Sequence, residues 1–318
     1  MIETVNKVNV LENTFTYNER LKIERSSMKK IESQYWALLL TRNGAEMIQL
    51  TAESIMHQTI PPVNMCIVDD GSSDDTPIIL EKLRREYPER VNVVTLQDEG
   101  YDIRRVVKNI NIGVEAQKKE KIKSEYMLIS GDDCVYPPHY AAYILVRMNR
   151  DHRIVIASGD IEGILHPDVT PRGSGRFVRT RFFHEIGGHF PPYYGYEGWI
   201  FQKALQLGYS IKNYPDIRYH HLREMGRQHR FKDWGLAMKC LGYHPLEVLY
   251  RYIRYVLIDH RVPVGCTRVL WDYFIQPLTV KEDPYYHFFD KDVRTYIREK
   301  QKRRIVHEIA NLVRLNKR

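Results

Sequence analysis

The sequence predicts an α/β protein: a doubly wound, mostly parallel sheet followed by a helical, basic C-terminal region. Three observations carry that reading. From Tyr35 to Gly163 short apolar runs alternate with stretches of helical period, the pattern of βα units. Polar residues gather directly behind three of the apolar runs. At Phe231 the alternation stops, and only helical periods rich in aromatic and basic residues follow.

Residues 1–34, including "ERSSMKKIESQ", are polar and without a clear period, and read as an extension or lead-in helix. "YWALLLT" is the first strand, and Ile48, Ala52, Ile55 and Met56 follow at helical spacing. "VNMCIVDD" is the second. Asp74 or Asp75 can cap the next helix, Pro77 suits its first turn, and Ile79, Leu80 and Leu83 form its inward stripe. "RVNVVTL" is the third strand. A basic helical stretch from Ile103 to Lys123 leads to "EYMLIS", and "PHYAAYILVRMNRDHR" leads to "RIVIASGDIEG", giving strands four and five. "GYEGWIFQKALQLGY" sets Glu197 before an amphipathic helix carrying Ile200, Ala204, Leu205 and Leu207. Beyond it, "HPLEVLYRYIRYVLIDH" places Leu246, Leu249, Ile253, Val256 and Leu257 at helical spacing, "RVLWDYFIQPL" adds large aromatics, and a basic helix closes the chain. The expected organisation is an extension (1–34), an α/β domain (35–230) divided near Asp133, and a helical region (231–318). No internal repeat is visible.

The chain has 318 residues at 43% hydrophobic, enough for one large core or a core with an appendage. No run approaches the roughly 20 apolar residues of a spanning helix, and "MIETVNKVNVLENTF" lacks the apolar centre of a secretion signal, so a cytoplasmic protein is expected. Cys66, Cys134, Cys240 and Cys266 lie far apart, which argues for reduced, mostly buried thiols rather than zinc or a disulfide frame. From Phe231 onward 17 Lys and Arg face 10 Asp and Glu, a balance of +7 within a net charge of +8. Such a surface favours phosphate-bearing partners: nucleic acid, anionic lipid or a nucleotide.

Open α/β sheets bind ligands at the carboxyl edge of their strands, and Thr41, Asp69, Asp70, Ser130, Asp132 and Asp133 fall on that edge. Loop chemistry alone can account for Asp74 and Asp75 in "VDDGSSDDTP". Asp69 and Asp70 close a buried strand, where carboxylates require donors; the N–H groups of a nucleobase and the hydroxyls of a ribose would supply them. In "ISGDDCVYPPHY", Asp132 and Asp133 form either a tight turn of solvated acids or oxygen ligands for a hard cation that holds a diphosphate. Glu197 is either a first-turn acid or a general base. His220 and His221 are adjacent on an extended segment, so at most one points inward.

Together these pieces resemble the family 2 glycosyltransferases, which have the GT-A fold, from about Tyr35 to Arg223. "LLLTRNGAE…SIMHQTIPPVNMCIVDDGSSDDT" is similar to that family's opening strand, helix and nucleotide-binding segment; "NIG" at Asn111 to Gly113, "FFHEIGGHF" and "YEGWIFQKALQLGY" are similar to later elements. The resemblance implies that Thr41, Asn43, Asp69, Asp70, Asn111 and Asp132 bind a nucleotide sugar, UDP by family habit. It implies Mn²⁺ or Mg²⁺ on Asp132 and Asp133, joined by His220 or His221, and an inverting transfer with Glu197 as base. Ser130 stands where the family's metal motif has its first Asp, and Gly198 where an Asp usually follows the Glu. The basic, aromatic-bearing helices of 244–318 read either as a packing appendage on the catalytic domain or as a peripheral surface for an anionic membrane, where a lipid-linked acceptor would be met; a glycan is the other acceptor expected, and no specific nucleic acid is. Two other readings stand beside this one: a GT-A-fold binder of nucleotide or nucleic acid that has lost transfer, and a nucleotidyltransferase. The latter lacks a Gly-rich, Lys-containing phosphate loop behind the first strand.

Overall fold

The computed structural model describes residues 35–315 except 101, 121–122, 165–169, 224–232, 259–262 and 279–281. The extension expected at 1–34 lies outside the described residues, as do Phe231 and Arg230 at the expected domain boundary. Eight strands form the sheet, in the order β3-β2-β1-β4-β7-β6-β8-β5. They are β1 (Tyr35–Thr41), β2 (Asn64–Asp69), β3 (Val91–Thr95), β4 (Tyr126–Gly131), β5 (Cys134–Val135), β6 (Ile154–Ile161), β7 (Arg176–Arg179) and β8 (Ser210–His221). β3, β2, β1 and β4 are parallel neighbours. β7 runs antiparallel between β4 and β6, β8 is parallel to β6, and β5 adds an antiparallel edge on β8.

A parallel strand covered on both faces reads as a continuous apolar run, and β1 is such a strand. Tyr35, Ala37 and Leu39 face one layer, made of α1 (Ile48–Met56), α2 (Thr76–Glu86) and α4 (Tyr140–Arg150). Trp36 and Leu38 face the other, made of α3 (Val106–Lys119), α5 (Thr180–Glu185) and α6 (Tyr196–Gln206). The expected inward residues Ile48, Ala52, Ile55, Met56, Leu80 and Leu83 are buried. The basic helix is shorter than its sequence pattern: a 3₁₀ turn at Ile103–Arg105 precedes it, and it ends at Lys119. On α6 the buried set is Trp199, Ile200, Phe201 and Ala204, while Leu207, assigned to the inward stripe by period, is exposed because the helix has ended at Gln206.

After β8 come α7 (Trp234–Cys240), α8 (Pro245–Ile258), α9 (Pro263–Phe274) and α10 (Lys291–Leu315). Leu236, Cys240, Leu241, Phe289, Val293 and Ile297 share a core cluster with Trp199, Ile200 and Phe201, and Trp199 stacks on Phe289 with centroids 6.1 Å apart. The stripe read on α8 faces outward, however. Glu247 and Val248 are buried there, whereas Leu246, Leu249, Tyr250 and Ile253 are exposed, as are Trp271, Phe274 and Ile275 at the end of α9. No described helix is long and apolar enough to cross a membrane.

Candidate active site

The parallel register aligns Thr41 with Asp69 and Leu40 with Gly131, so the ends of β1, β2 and β4 empty onto one edge. Side chains join them there. Thr41 Oγ1 donates to Asp132 Oδ2 at 2.7 Å, and the Asp70 N–H donates to the Thr41 carbonyl at 2.9 Å. Gly44 makes the crossing feasible: a Cβ at this position would overlap the Asp132 carboxylate and lie 2.6 Å from Thr41 Oγ1.

On the β2 side, Asp69 is fully buried. Its Oδ1 accepts from the Ser72 N–H (3.1 Å) and Oγ (2.5 Å), while Oδ2 has no partner among the described residues. Asp70 pairs with Arg105 at 2.7 Å; burial raises its pKa, opposed by the Asn109 amide and by the Arg105 and Arg42 charges. Arg42 donates to the Asp70 and Gly71 carbonyls and pairs with Asp98 at 2.7 Å. Asn43, in the left-handed region at φ 49°, accepts from the Ser73 N–H at 2.8 Å, and its own N–H donates to Ser72 Oγ at 2.9 Å. Arg42, Arg105 and Asn109 were missed by sequence reasoning. Arg105 was counted only as part of a basic stretch, and its place one turn before Asn109 was the available signal.

On the β4 side, burial raises the Asp132 pKa, and the Thr41 hydroxyl and the Arg223 guanidinium, 3.3 Å away, oppose it. Asp133 Oδ2 lies 3.5 Å from His221 Nε2. His221 Nδ1 is 2.7 Å from the Arg223 carbonyl, which can only accept, so Nδ1 donates there and Nε2 is the nitrogen that faces Asp133. A carboxylate oxygen and an imidazole nitrogen facing each other are a donor pair that could hold a cation, and such donors suit Mn²⁺ or Mg²⁺. Cys134 also brings its Sγ within 4.8 Å of these donors; burial pushes its thiol up to about 12, and sulfur is a soft donor poorly matched to a hard cation. The ladder explains the choice of histidine: His221 pairs with Cys134 and points in, while His220 pairs with Val135 and turns out toward Glu162. His220 therefore does not join the cation site. Ser130 does not either, since its hydroxyl is buried against the Tyr136 hydroxyl at 2.7 Å.

Glu197 stands in the first turn of α6, half-exposed, with Oε1 3.2 Å from Nη2 of the buried Arg176. Gly198 lies under Leu241: a Cβ there would meet Leu241 Cδ1 at 3.0 Å, so a side chain at this position requires Leu241 to shift. Asn111 is not brought to this edge. Its amide bonds both ways with the backbone of Phe190, 2.8 Å each, and it lines a groove of about 670 Å³ with Val94, Lys108 and Pro192 that includes none of Asp69, Asp70, Asp132, Asp133 and Glu197. Gly113 of the same "NIG" triplet is a packing residue, since a Cβ would overlap Leu38.

Comparison with known proteins bears on the family and the fold. The profile of glycosyl transferase family 2 matches residues 37–206. The chondroitin synthase of Escherichia coli is 33% identical over 88 residues, 27% of this chain but only 12% of that protein's length. A mannosyltransferase from Pyrobaculum calidifontis, solved in complex with GDP-Man and Mn²⁺, superposes with a TM-score of 0.54 at 15% identity, covering 79% of this chain and 81% of that one. S. aureus TarS residues 1–349 gives 0.48 at 15% identity over 76% and 70% of the two chains. The mixed, mostly parallel sheet is that of the GT-A glycosyltransferases.

Proposed function

The chain belongs to glycosyl transferase family 2 and is a glycosyltransferase, and from that premise we propose a metal-assisted, inverting transfer from a nucleotide sugar to an acceptor hydroxyl. The observation that carries the reading is the convergence of three strand ends, tied by the Thr41–Asp132 hydrogen bond, on buried carboxylates with spare acceptor capacity. Asp69 and Asp70, framed by Thr41 and Asn43, receive the nucleoside, and the unpartnered Asp69 Oδ2 suits a base N–H such as that of uracil. Asp132, Asp133 and His221 are the residues that would hold Mn²⁺ or Mg²⁺, which would supply neutralisation of the charge developing on the departing diphosphate. Glu197 takes the proton of the acceptor hydroxyl. The acceptor oxygen then bonds to the anomeric carbon as the bond to the diphosphate breaks on the opposite face, and the configuration inverts. Calorimetry of UDP-, GDP- and dTDP-sugars with and without Mn²⁺, on wild type and Asp132→Asn, tests this. Metal-dependent binding of one nucleotide class that is lost in the variant is expected; no binding of any nucleotide would overturn it.

A lipid-linked acceptor at an anionic membrane surface is supported by one further observation. Leu246, Leu249, Tyr250 and Ile253 recur along one face of α8, each more than 40% exposed, with Trp271 and Phe274 exposed on α9 and Ile275 just past it. Large apolar patches of this kind are rare on a surface that meets only water, and the region is basic. Because the C-terminal helices share a core with α6, truncation would damage the fold, and the better test is Leu249→Glu with Ile253→Glu. Sedimentation with anionic vesicles should fall in the double variant; unchanged sedimentation would remove the membrane.

A further inference from the structure

Arg176 is the largest of the described side chains that are less than 2% exposed, and it sits on β7 opposite Ile129, one residue short of the site's edge. Its guanidinium lies 5.5 Å over the Phe201 ring, and its Nε and Nη1 have no hydrogen-bond partner among the described residues. Only Nη2 is engaged. It holds Oε1 of Glu197, whose carboxyl group rests against the turn before β7, where a Cβ on Gly173 would come within 3.1 Å of that oxygen. Oε2 accepts no hydrogen bond among the described residues.

As a device for stability this arrangement is a poor one. A guanidinium removed from water, with one partner for its five N–H groups, carries a desolvation penalty that an aliphatic side chain of similar volume would avoid. The partner is also half-exposed, so the pair does not lock two elements of the core together. What the contact does accomplish lies at the surface end. It fixes one oxygen of Glu197 and leaves the other, on a half-exposed side chain, free to accept. A base must be held to a narrow range of positions, since displacement by about 1 Å can lose 10²-fold in rate.

We propose that Arg176 is the positioning residue of Glu197: it anchors Oε1 so that Oε2 is presented to the acceptor hydroxyl. This rests on the reading of Glu197 as the base, and the two can fail separately. The experiment compares Arg176→Met, Arg176→Lys, Glu197→Gln and the Arg176→Met/Glu197→Gln pair, with release of nucleoside diphosphate from UDP-GlcNAc and GDP-Man as the activity probe. The expected result for Arg176→Met is a kcat reduced roughly 10- to 100-fold, a donor KM unchanged, and a Tm equal to or above wild type. Arg176→Lys, which keeps a cation in the same slot, should recover part of the rate. In the Glu197→Gln background the Met substitution should add almost nothing, because the group it positions is gone.

A full-rate Glu197→Gln would sink the base reading. A crippled Glu197→Gln beside a full-rate Arg176→Met would sink the positioning role alone. A lowered Tm with the same rate loss in both backgrounds would assign Arg176 to the fold and overturn the proposal. The crystal structure of Arg176→Met decides independently of any donor: a Glu197 carboxylate displaced from Gly173 supports the role, and an unmoved one refutes it. If the Met variant does not fold, Arg176→Gln is read by the same criteria.

Discussion

Gly44→Ala perturbs the site without replacing a charged group. The backbone there is not in the left-handed region, so the effect is steric: the new methyl would overlap the Asp132 carboxylate, with Thr41 Oγ1 at 2.6 Å and Asp132 Cγ at 3.0 Å, where ordinary contact begins near 3.4 Å. Thr41 and Asp132 must part, and the 2.7 Å hydrogen bond between them goes. A hydrogen bond to an ionised partner contributes about 1.5–3 kcal/mol. Alanine returns about 0.4–1 kcal/mol by restricting the unfolded chain, so the net loss should be roughly 0.5–2.6 kcal/mol. Urea denaturation monitored by tryptophan fluorescence measures it, and calorimetry with Mn²⁺ measures the accompanying loss of cation affinity. Thr41→Val removes the same bond without the overlap. If both act through that bond, their losses will not add in the double variant. Unchanged stability and unchanged Mn²⁺ affinity in Gly44→Ala would show that the Thr41–Asp132 contact is not a fixed part of the site, and the argument from convergent strand ends would lose its tie.

Glu197→Gln should lower kcat roughly 10²- to 10⁴-fold with donor affinity kept; equal activity removes the residue from the role. Asp132→Asn should melt at or above wild type at pH 7 without metal. Burial raises the folded-state pKa of Asp132 above its unfolded value, so the folded chain binds the extra proton, and wild type gains stability as pH falls from the raised value through the ordinary carboxylate range. The advantage of the Asn variant should therefore shrink on acidification, and an advantage that widens would contradict the assignment. Cys66, Cys134 and Cys240, all buried with thiols pushed up to about 12, should resist iodoacetamide at pH 8 until the protein unfolds. Cys134→Ser should bind Mn²⁺ as wild type does, and a loss there would make the thiol a ligand.

Much of the sheet was legible because its signal is local. "YWALLLT" is apolar throughout since both faces of β1 are covered, and strands of that kind announce themselves without any partner in view. The later strands were not. β5 has two residues and β7 four, too few to show a period, and the run of β8 is broken by a register shift opposite Gly159 and Asp160. The acids at the edge were legible for the same reason as β2 and β4, the apolar runs that deliver them. Their counter-charges were not, because Arg42, Arg105, Arg176 and Arg223 reach the site from four different elements, and only the folded chain shows which of 48 basic side chains those are. The outward stripe of α8 failed for a related reason. A helical period shows that one face is apolar and leaves open what covers it.

The departure at Gly198 and the C-terminal helices are one feature rather than two. Leu241, just past α7, occupies the space a side chain at 198 would need, and the same cluster carries Phe289 and Val293 onto Trp199 and Ile200. A carboxylate at 198 would have to displace Leu241, at a cost of about 1–3 kcal/mol for overpacking alone, with a buried charge to satisfy besides. Gly198→Asp, which writes the family's usual pair back into the chain, should therefore lower stability and bring no gain in rate. A faster Gly198→Asp enzyme would mean that the helices yield, and that Glu197 is only half of the base this chain once could have used.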